Sequence, residues 1–303
     1  MTQPWIAEHT VTSDLARALI ERQFPALAPA WVEPFGVGWD NTAYLVNDLW
    51  VFRFPRRAVA ADLIRAEAAI LPVIAPRLPL AIPVPCYVGE PEERFPCPFA
   101  GYRMIAGQTA CDANLDEGQR SRAAEPLADF LRALHSVPRT DVEKAGAGPD
   151  TIGRLDVPKR RQQIIDRLRE AKRKGLARDV QPWLELADDA PPGWTSWKSM
   201  LVHGDFYARH LLVDETGAPN GVIDWGDVHL GDPAVDLSIA HGFLPPAARA
   251  AFRAAYGTID DDTWRMARFK ALHAAVMVLV YAADVGDADL LREGRMALGY
   301  VLG

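Results

Sequence analysis

Three cysteines in 303 residues are too few for a disulfide framework, and Cys86, Cys97 and Cys111 show no C-x-x-C spacing. The simplest reading is a reduced, cytoplasmic protein without a cysteine-held zinc. Positive charge is also in deficit, since 33 basic against 40 acidic residues leave a net charge of −7. That balance excludes a nucleic-acid binder, which needs a basic stripe to displace counterions, and favours cationic small molecules. Long apolar runs are missing. The longest, Ala271 to Val285, carries His273 and falls short of the roughly 20 residues that cross a bilayer, so no membrane partner is expected. The opening MTQPWIAEHTVTSDLARAL has no basic start followed by an apolar core, so no secretion signal is expected. The signatures G-x-S-x-G, G-x-x-x-x-G-K-[ST] and H-E-x-x-H are absent as well, which removes the commonest hydrolase, P-loop and zinc-protease chemistries.

What is there, 49% hydrophobic and 24% charged, is the composition of a globular chain with room for one large or two modest domains. Thr12 or Ser13 caps a helix bearing Leu15, Leu19 and Ile20 that ends at Pro25. Val32 to Phe35, Tyr44 to Val46 and Trp50 to Phe54 read as strands. A loop is expected over Gly36 to Asn41, and Asn47-Asp48 makes the second turn. Ala58 to Ile74 has helical spacing, with Leu63, Ala66, Ile70 and Ile74 on one face and Glu67 inside it. Further strands are expected at 85–88 and 99–105, and then the character changes. Ser121 to His135, Val157 to Lys174 and Val180 to Leu186 read as helices, interrupted by a β interlude at 200–224. The glycines of AGAGPDTIG, residues 145–153, follow no strand and form a loop. Strands first and helices afterwards imply two lobes joined near 105–110.

The chemistry concentrates in LVHGDFYARHLLVDETGAPNGVIDWGDVHLGDPAVDL, residues 201–237. His210 to Val213 and Gly221 to Asp224 are short strands separated by Gly217, Pro219 and Asn220-Gly221. An antiparallel hairpin follows, with His210 across from Asp224 and Asp205 just upstream. Two carboxylates and an imidazole at one end of a hairpin are costly unless a cation or a reaction uses them. One Asp with one neutral ligand leaves open positions for phosphate oxygens and water, the usual manner of holding Mg²⁺. The other Asp is then free to orient an acceptor hydroxyl. Kinase-type catalytic loops divide the labour in this way, with a metal-binding residue five positions after the catalytic Asp.

HGDFYARH followed by VIDWGD and GDPAVDL resembles the aminoglycoside phosphotransferase superfamily, and the macrolide 2′-phosphotransferases look nearest within it. They share a segment like WVFRFPRR, an HGD loop with His at the usual Asn position, and IDW. The resemblance runs from about Phe35 to the C-terminus. It implies an α+β, bilobal, protein-kinase-like fold: a small β-rich lobe over residues 1–105 for nucleotide, and a larger, mainly helical lobe over 106–303 for catalysis and acceptor. ATP or GTP is expected between them. Carried over by residue, Asp205 is the catalytic Asp, and His210 and Asp224 hold Mg²⁺. Arg53 takes the place of a phosphate-binding Lys with Glu67 as its helix partner. Trp39, Asn41 and Thr42 approach the phosphates, and Met104, Ile105 and Ala106 form the hinge to the purine. His203 supports the catalytic loop and Asp236 anchors the segment after IDW.

Gly36-Val37-Gly38 does not complete G-x-G-x-x-G, and Arg in place of Lys at 53 exchanges a point charge for a fork. Asp227 is open between metal, acceptor and turn cap. Asp284, Asp287, Asp289 and Glu293 read as a solvated cluster around a helix end. The function expected is nucleoside-triphosphate-dependent O-phosphorylation of a small, cationic molecule, a macrolide 2′-hydroxyl foremost. An aminoglycoside or choline-like kinase, or a nucleotide-binding pseudokinase, are the alternatives. Oligomeric state leaves no mark in the sequence.

Overall fold

The computed structural model describes residues 8–38, 40–191, 193–195 and 198–303. Trp39, one of the residues expected near the phosphates, lies outside them. The chain divides into two compact units. The first takes the described residues up to Pro76, then Ile82–Ile105 and Thr140–Ala147; the second takes Arg77–Ala81, Ala106–Arg139 and Gly148–Gly303. The fold is α+β, with an antiparallel sheet in the first unit and mainly helices in the second.

In the first unit, helix α1 (Ser13–Gln23) starts where the Thr12 hydroxyl accepts from the Leu15 N–H at 3.2 Å. Strands β1 (Val32–Val37), β2 (Asn41–Val46), β3 (Trp50–Pro55), β4 (Pro85–Gly89) and β5 (Phe99–Arg103) form one sheet in the order β1-β2-β3-β5-β4. Asn47 and Asp48, both at positive φ (51° and 53°), make the tight turn between β2 and β3. Helix α2 is Ala58–Ile74. Side chains alternate across a strand, so Phe52 and Phe54 enter the core shared with Leu19 and Ile20 of α1. Phe54 stacks on Phe99 with centroids 4.7 Å apart. Each fully buried ring contributes roughly 1.5–3 kcal/mol. Arg53, between the two phenylalanines, is thereby sent to the opposite face, where it meets Glu67 of α2.

The loop expected at 36–41 is shorter than the sequence suggested. Gly36 and Val37 pair with Ala43 and Thr42, which extends β1 and starts β2 at Asn41. Asn41 and Thr42 are therefore strand residues.

The second unit contains β6 (Gln108–Thr109), α3 (Glu117–Arg122) and α4 (Ala124–His135). The short helix α5 (Arg139–Lys144) follows, then α6 (Val157–Arg173) and α7 (Gln181–Asp188). The single helix expected over Ser121 to His135 is in fact two. The Asp116–Gln119 capping box starts α3 early, and the Ala123 N–H turns back to Arg120 O and ends it. After the strands of the site come α8 (Ala234–Leu237), α9 (Ile239–Gly242), α10 (Arg249–Tyr256), α11 (Asp261–Val285) and α12 (Ala288–Tyr300). At 25 residues α11 is long and apolar enough to cross a membrane. Most of its apolar length is buried instead, packed against α6, α8, α9 and α12 as the central helix of the unit.

Two antiparallel ribbons position the site. β7 (Met200–Val202) pairs with β10 (His229–Gly231), and β8 (Leu211–Val213) pairs with β9 (Pro219–Val222). The segment 203–210 runs from β7 to β8, and 223–228 runs from β9 back to β10. Pairing at both ends holds these two segments side by side.

Candidate active site

The register of the β8–β9 ribbon sets Leu211 against Val222, and the Ile223 N–H donates to His210 O at 2.9 Å. His210 therefore stands opposite Ile223 and not Asp224, one residue away from the expected pairing. Asp224 reaches the imidazole by turning into the left-handed region, φ 62°. That conformation costs a non-glycine residue about 1–2 kcal/mol, and such strain gathers at working sites. The result brings three candidates together: His210 Nδ1 lies 3.7 Å from Asp205 Oδ2, and its Nε2 lies 3.3 Å from Asp224 Oδ2. Both carboxylates are half-exposed while the imidazole is buried.

His210 Nδ1 also donates to the Asp205 carbonyl at 2.8 Å. In the neutral ring this leaves the Nε2 lone pair facing the Asp224 carboxylate. A proton on Nε2 or a cation beside the pair satisfies both groups. Among the described residues no three His, Cys, Asp or Glu side chains form a cage for a metal ion. The donor set is thus two groups with open positions, suited to a cation that keeps water and phosphate oxygens as its other ligands.

The two loops are locked from behind. His203, fully buried, donates from Nε2 to Ile223 O at 3.0 Å and accepts from the Asp205 N–H at 3.3 Å, so its ring joins one loop to the other. Gly204 sits at φ 92°, where a Cβ would lie 2.2 Å from Asp227 O; only glycine lets the loops pass this closely. Asp236, also fully buried, accepts the N–H groups of His203 (2.7 Å) and Gly204 (2.9 Å) and the Nε2 of His135 (3.2 Å). Tyr256 Oη meets the other nitrogen of His135 at 2.8 Å. Burial drives the Asp236 carboxyl upward, but the hydrogen bond and charge of His135 lead a set of contacts that hold it below the usual carboxylate range.

Asp227 is resolved by a residue that spacing did not reveal. Arg154 pairs with Asp227 through Nη2, with Asp150 at 2.8 Å through Nη1, and donates from Nε to Gly204 O at 3.2 Å. Burial first, and the charge of Asp205 second, push the Asp227 carboxyl up, with Arg154 opposing.

In the first unit, Arg53 Nη1 holds both oxygens of Glu67, at 2.8 and 3.1 Å, and the Tyr102 hydroxyl donates to Glu67 at 3.3 Å. The Glu67 side chain is 1% exposed, so this is a buried pair. At the expected hinge, the Met104 N–H donates to Leu49 O at 2.8 Å, and the Ala106 carbonyl accepts from Asn220 at 2.6 Å.

The sequence profile of the phosphotransferase enzyme family (APH) matches residues 31–270. The chain belongs to this family. It is a small-molecule phosphotransferase, 28% identical over 256 residues to the uncharacterized protein YcbJ of Bacillus subtilis (strain 168), covering 80% of this chain and 77% of that one. Viomycin phosphotransferase of Streptomyces vinaceus is 26% identical over 260 residues, 80% of this chain and 84% of its own. Among solved structures, the GDP and kanamycin complex of APH(2″)-IIia superposes with a TM-score of 0.67 at 28% identity, covering 94% of this chain and 97% of that one.

Of the six imidazoles buried among the described residues of this phosphotransferase, four have their pKa lowered. Burial is the first cause at His203, His229, His241 and His273, and the last falls to about 2 with Lys270 and Arg160 adding to it. They stay neutral in the fold, whereas an unfolded chain protonates them near pH 6.5. Their stability is therefore complete above about pH 6.5 and is lost as pH falls below it, by about 1 kcal/mol per histidine over the first pH unit. Asp227, whose pKa is raised, works weakly the other way. A melting series from pH 7.5 to pH 5.5 is expected to show Tm falling steeply at the acid end; a flat profile would mean that these rings accept protons in the fold.

Proposed function

We propose that this phosphotransferase moves the terminal phosphoryl group of ATP or GTP onto a hydroxyl of a small molecule, with Asp205 orienting that hydroxyl and accepting its proton. The observation that carries the reading is the convergence of Asp205, His210 and Asp224 on two loops held side by side. His210 Nε2 and the Asp224 carboxylate are the groups we assign to Mg²⁺, which when bound supplies neutralisation of charge on the phosphate oxygens. Nucleotide binding is assigned to residues 1–105 and catalysis with acceptor binding to 106–303.

Arg53, fixed by Glu67, offers its fork to phosphate oxygens. Asn41, Thr42 and the backbone of Met104, Ile105 and Ala106 are the remaining groups assigned to the nucleotide. In-line transfer asks the protein for position and electrostatics more than for covalent chemistry. His203 and Asp236 supply position by fixing the backbone that carries Asp205. An antibiotic hydroxyl is the acceptor class, and the macrolide 2′-hydroxyl stands first on the shared WVFRFPRR, HGD and IDW segments.

The test is mass spectrometry of erythromycin, kanamycin, viomycin and choline incubated with the full chain, Mg²⁺ and either ATP or GTP. One acceptor is expected to gain a phosphoryl group while nucleoside diphosphate forms in equal amount. Failure of every acceptor under both nucleotides, with no diphosphate released, defeats the proposal.

A further inference from the structure

Residues 148–153, part of a stretch that the sequence presents as a plain loop, are tied down at several points in the fold. Gly148 O accepts from the Leu230 N–H at 2.7 Å, which fastens the loop to β10. Asp150 accepts the N–H groups of Ile152 (3.0 Å) and Arg154 (2.5 Å). Arg160 of α6 donates to Gly153 O at 2.9 Å and to Ile152 O at 3.0 Å. A backbone held in this way delivers Arg154 to a defined place.

The Arg154 side chain is 9% exposed, and all three of its nitrogens are engaged within the protein. Nη1 holds Asp150 at 2.8 Å, Nη2 pairs with Asp227, and Nε donates to Gly204 O at 3.2 Å. The last two partners lie on different loops, Gly204 in 203–210 and Asp227 in 223–228. They also mark the point where those loops touch, since a Cβ on Gly204 would strike Asp227 O. That carbonyl accepts in turn from His229 Nδ1 at 2.7 Å.

Gly204 O and the Asp205 N–H belong to one planar peptide, so neither edge turns without the other. The N–H edge rests on His203 Nδ1 through a bond of 3.3 Å, at the long end of the range. The carbonyl edge is held by a guanidinium, and bonds from a charged donor are the stronger kind. The orientation of this peptide sets the direction in which Asp205 leaves the backbone.

We infer that Arg154 is a positioning residue for the transfer: its guanidinium fixes the Gly204–Asp205 peptide, ties it to Asp227 on the facing loop, and so aims the Asp205 carboxylate. The inference rests on the phosphotransferase reading above and adds to it a residue that acts through Asp205. The fork is essential to the role. A lysine supplies the same charge at a single point and reaches Asp227 or Gly204 O, not both.

The experiment compares the full chain with Arg154→Met, which keeps an unbranched stem, and Arg154→Lys, which keeps the charge. The acceptor is whichever of erythromycin, kanamycin, viomycin and choline the wild type phosphorylates, and rates are taken well below each protein's own Tm. Under that condition every molecule is folded, and a merely structural arginine leaves kcat unchanged. Arg154→Met is expected to lower kcat by about 10- to 100-fold, the effect of misplacing a reacting group by about an ångström. KM for nucleotide is expected to stay within about twofold of wild type. Arg154→Lys is expected to remain about tenfold or more below wild type in kcat, and it carries the test alone should Arg154→Met fail to fold. Hydrogen exchange supplies a readout independent of turnover: the peptide spanning 203–210 is expected to exchange faster in both variants, with α11 and α12 as in wild type.

A variant kcat within about twofold of wild type overturns the inference and leaves the phosphotransferase reading standing. Full recovery of kcat by Arg154→Lys does the same, since charge alone then suffices, and so does unchanged exchange over 203–210. Absence of both diphosphate release and phosphorylated acceptor with the wild type brings down the phosphotransferase reading and this inference with it.

Discussion

Asp205→Asn is expected to lower kcat for phosphoryl transfer by about 10²- to 10⁴-fold, the usual worth of a positioned general base, with Tm unchanged or slightly raised. The backbone of Asp205 is held independently of its carboxylate: its N–H reaches His203 and its carbonyl accepts from His210. The carboxylate itself is half-exposed and lies 3.7 Å from His210, with Asp224 and Asp227 as further negative neighbours. An amide of the same shape keeps the loop and removes one of several mutually repelling charges, so the fold has nothing to lose. What disappears is the carboxylate proposed to take the hydroxyl proton. Initial rates with the acceptor found by mass spectrometry, beside a thermal melt, decide the matter. A kcat within about tenfold of wild type would remove Asp205 from the role assigned to it.

Asp236→Ala is expected to do the opposite kind of damage, to the fold first and to catalysis through it. The carboxylate is buried and accepts two backbone N–H groups and one imidazole. Removing it leaves those donors without partners and a cavity where the charge was, a loss of roughly 3–5 kcal/mol. For a chain of this size that is a fall in Tm of roughly 5–8 °C. Asp236→Asn fares little better, because its NH₂ group faces donors whichever way it turns. kcat is expected to fall in step with the freed His203–Gly204 backbone, while Arg53 and Glu67 in the other unit are undisturbed. Differential scanning calorimetry and steady-state rates on the same preparations test this; Asp236→Ala with wild-type Tm would show that the loop amides find other partners.

The sequence exposed those parts of the molecule whose cause is local. Helix α2 was legible at Ala58–Ile74 because its apolar face repeats at helical spacing, and the hairpin of β8 and β9 because two short apolar stretches flank turn residues; the turn itself is Asp214–Ala218 with Gly217 at φ 84°, whereas Asn220-Gly221, expected in the turn, belongs to β9. Asp205, His210 and Asp224 could be brought together on paper because one hairpin carries the last two and its feeding loop the first. Even there the register was one residue off, because Leu211 pairs with Val222 and so sets His210 opposite Ile223, a pairing that spacing alone does not specify. The break at Ala123 went unseen because no glycine or proline marks it.

Arg154 was hidden for a different reason. It reaches the site from far away in sequence, after a glycine loop that spacing could only read as a connector. Of the acids near the C-terminus, Asp284 and Asp289 are exposed as the sequence suggests, whereas Glu293 is buried against Arg120, a partner that only the fold supplies.

The chain passes between its two units at residues 76, 81, 105, 139 and 147, and this interleaving has a consequence for how the protein is made. Domains commonly fold in order as they leave the ribosome. Here the first unit is still waiting for residues 140–147 when its last strand, β5, has emerged. By the time Ala147 arrives, α3 and α4 of the second unit are already exposed with their apolar faces uncovered. A fragment stopped at Ile105 therefore lacks residues 140–147, the closing segment of its own unit.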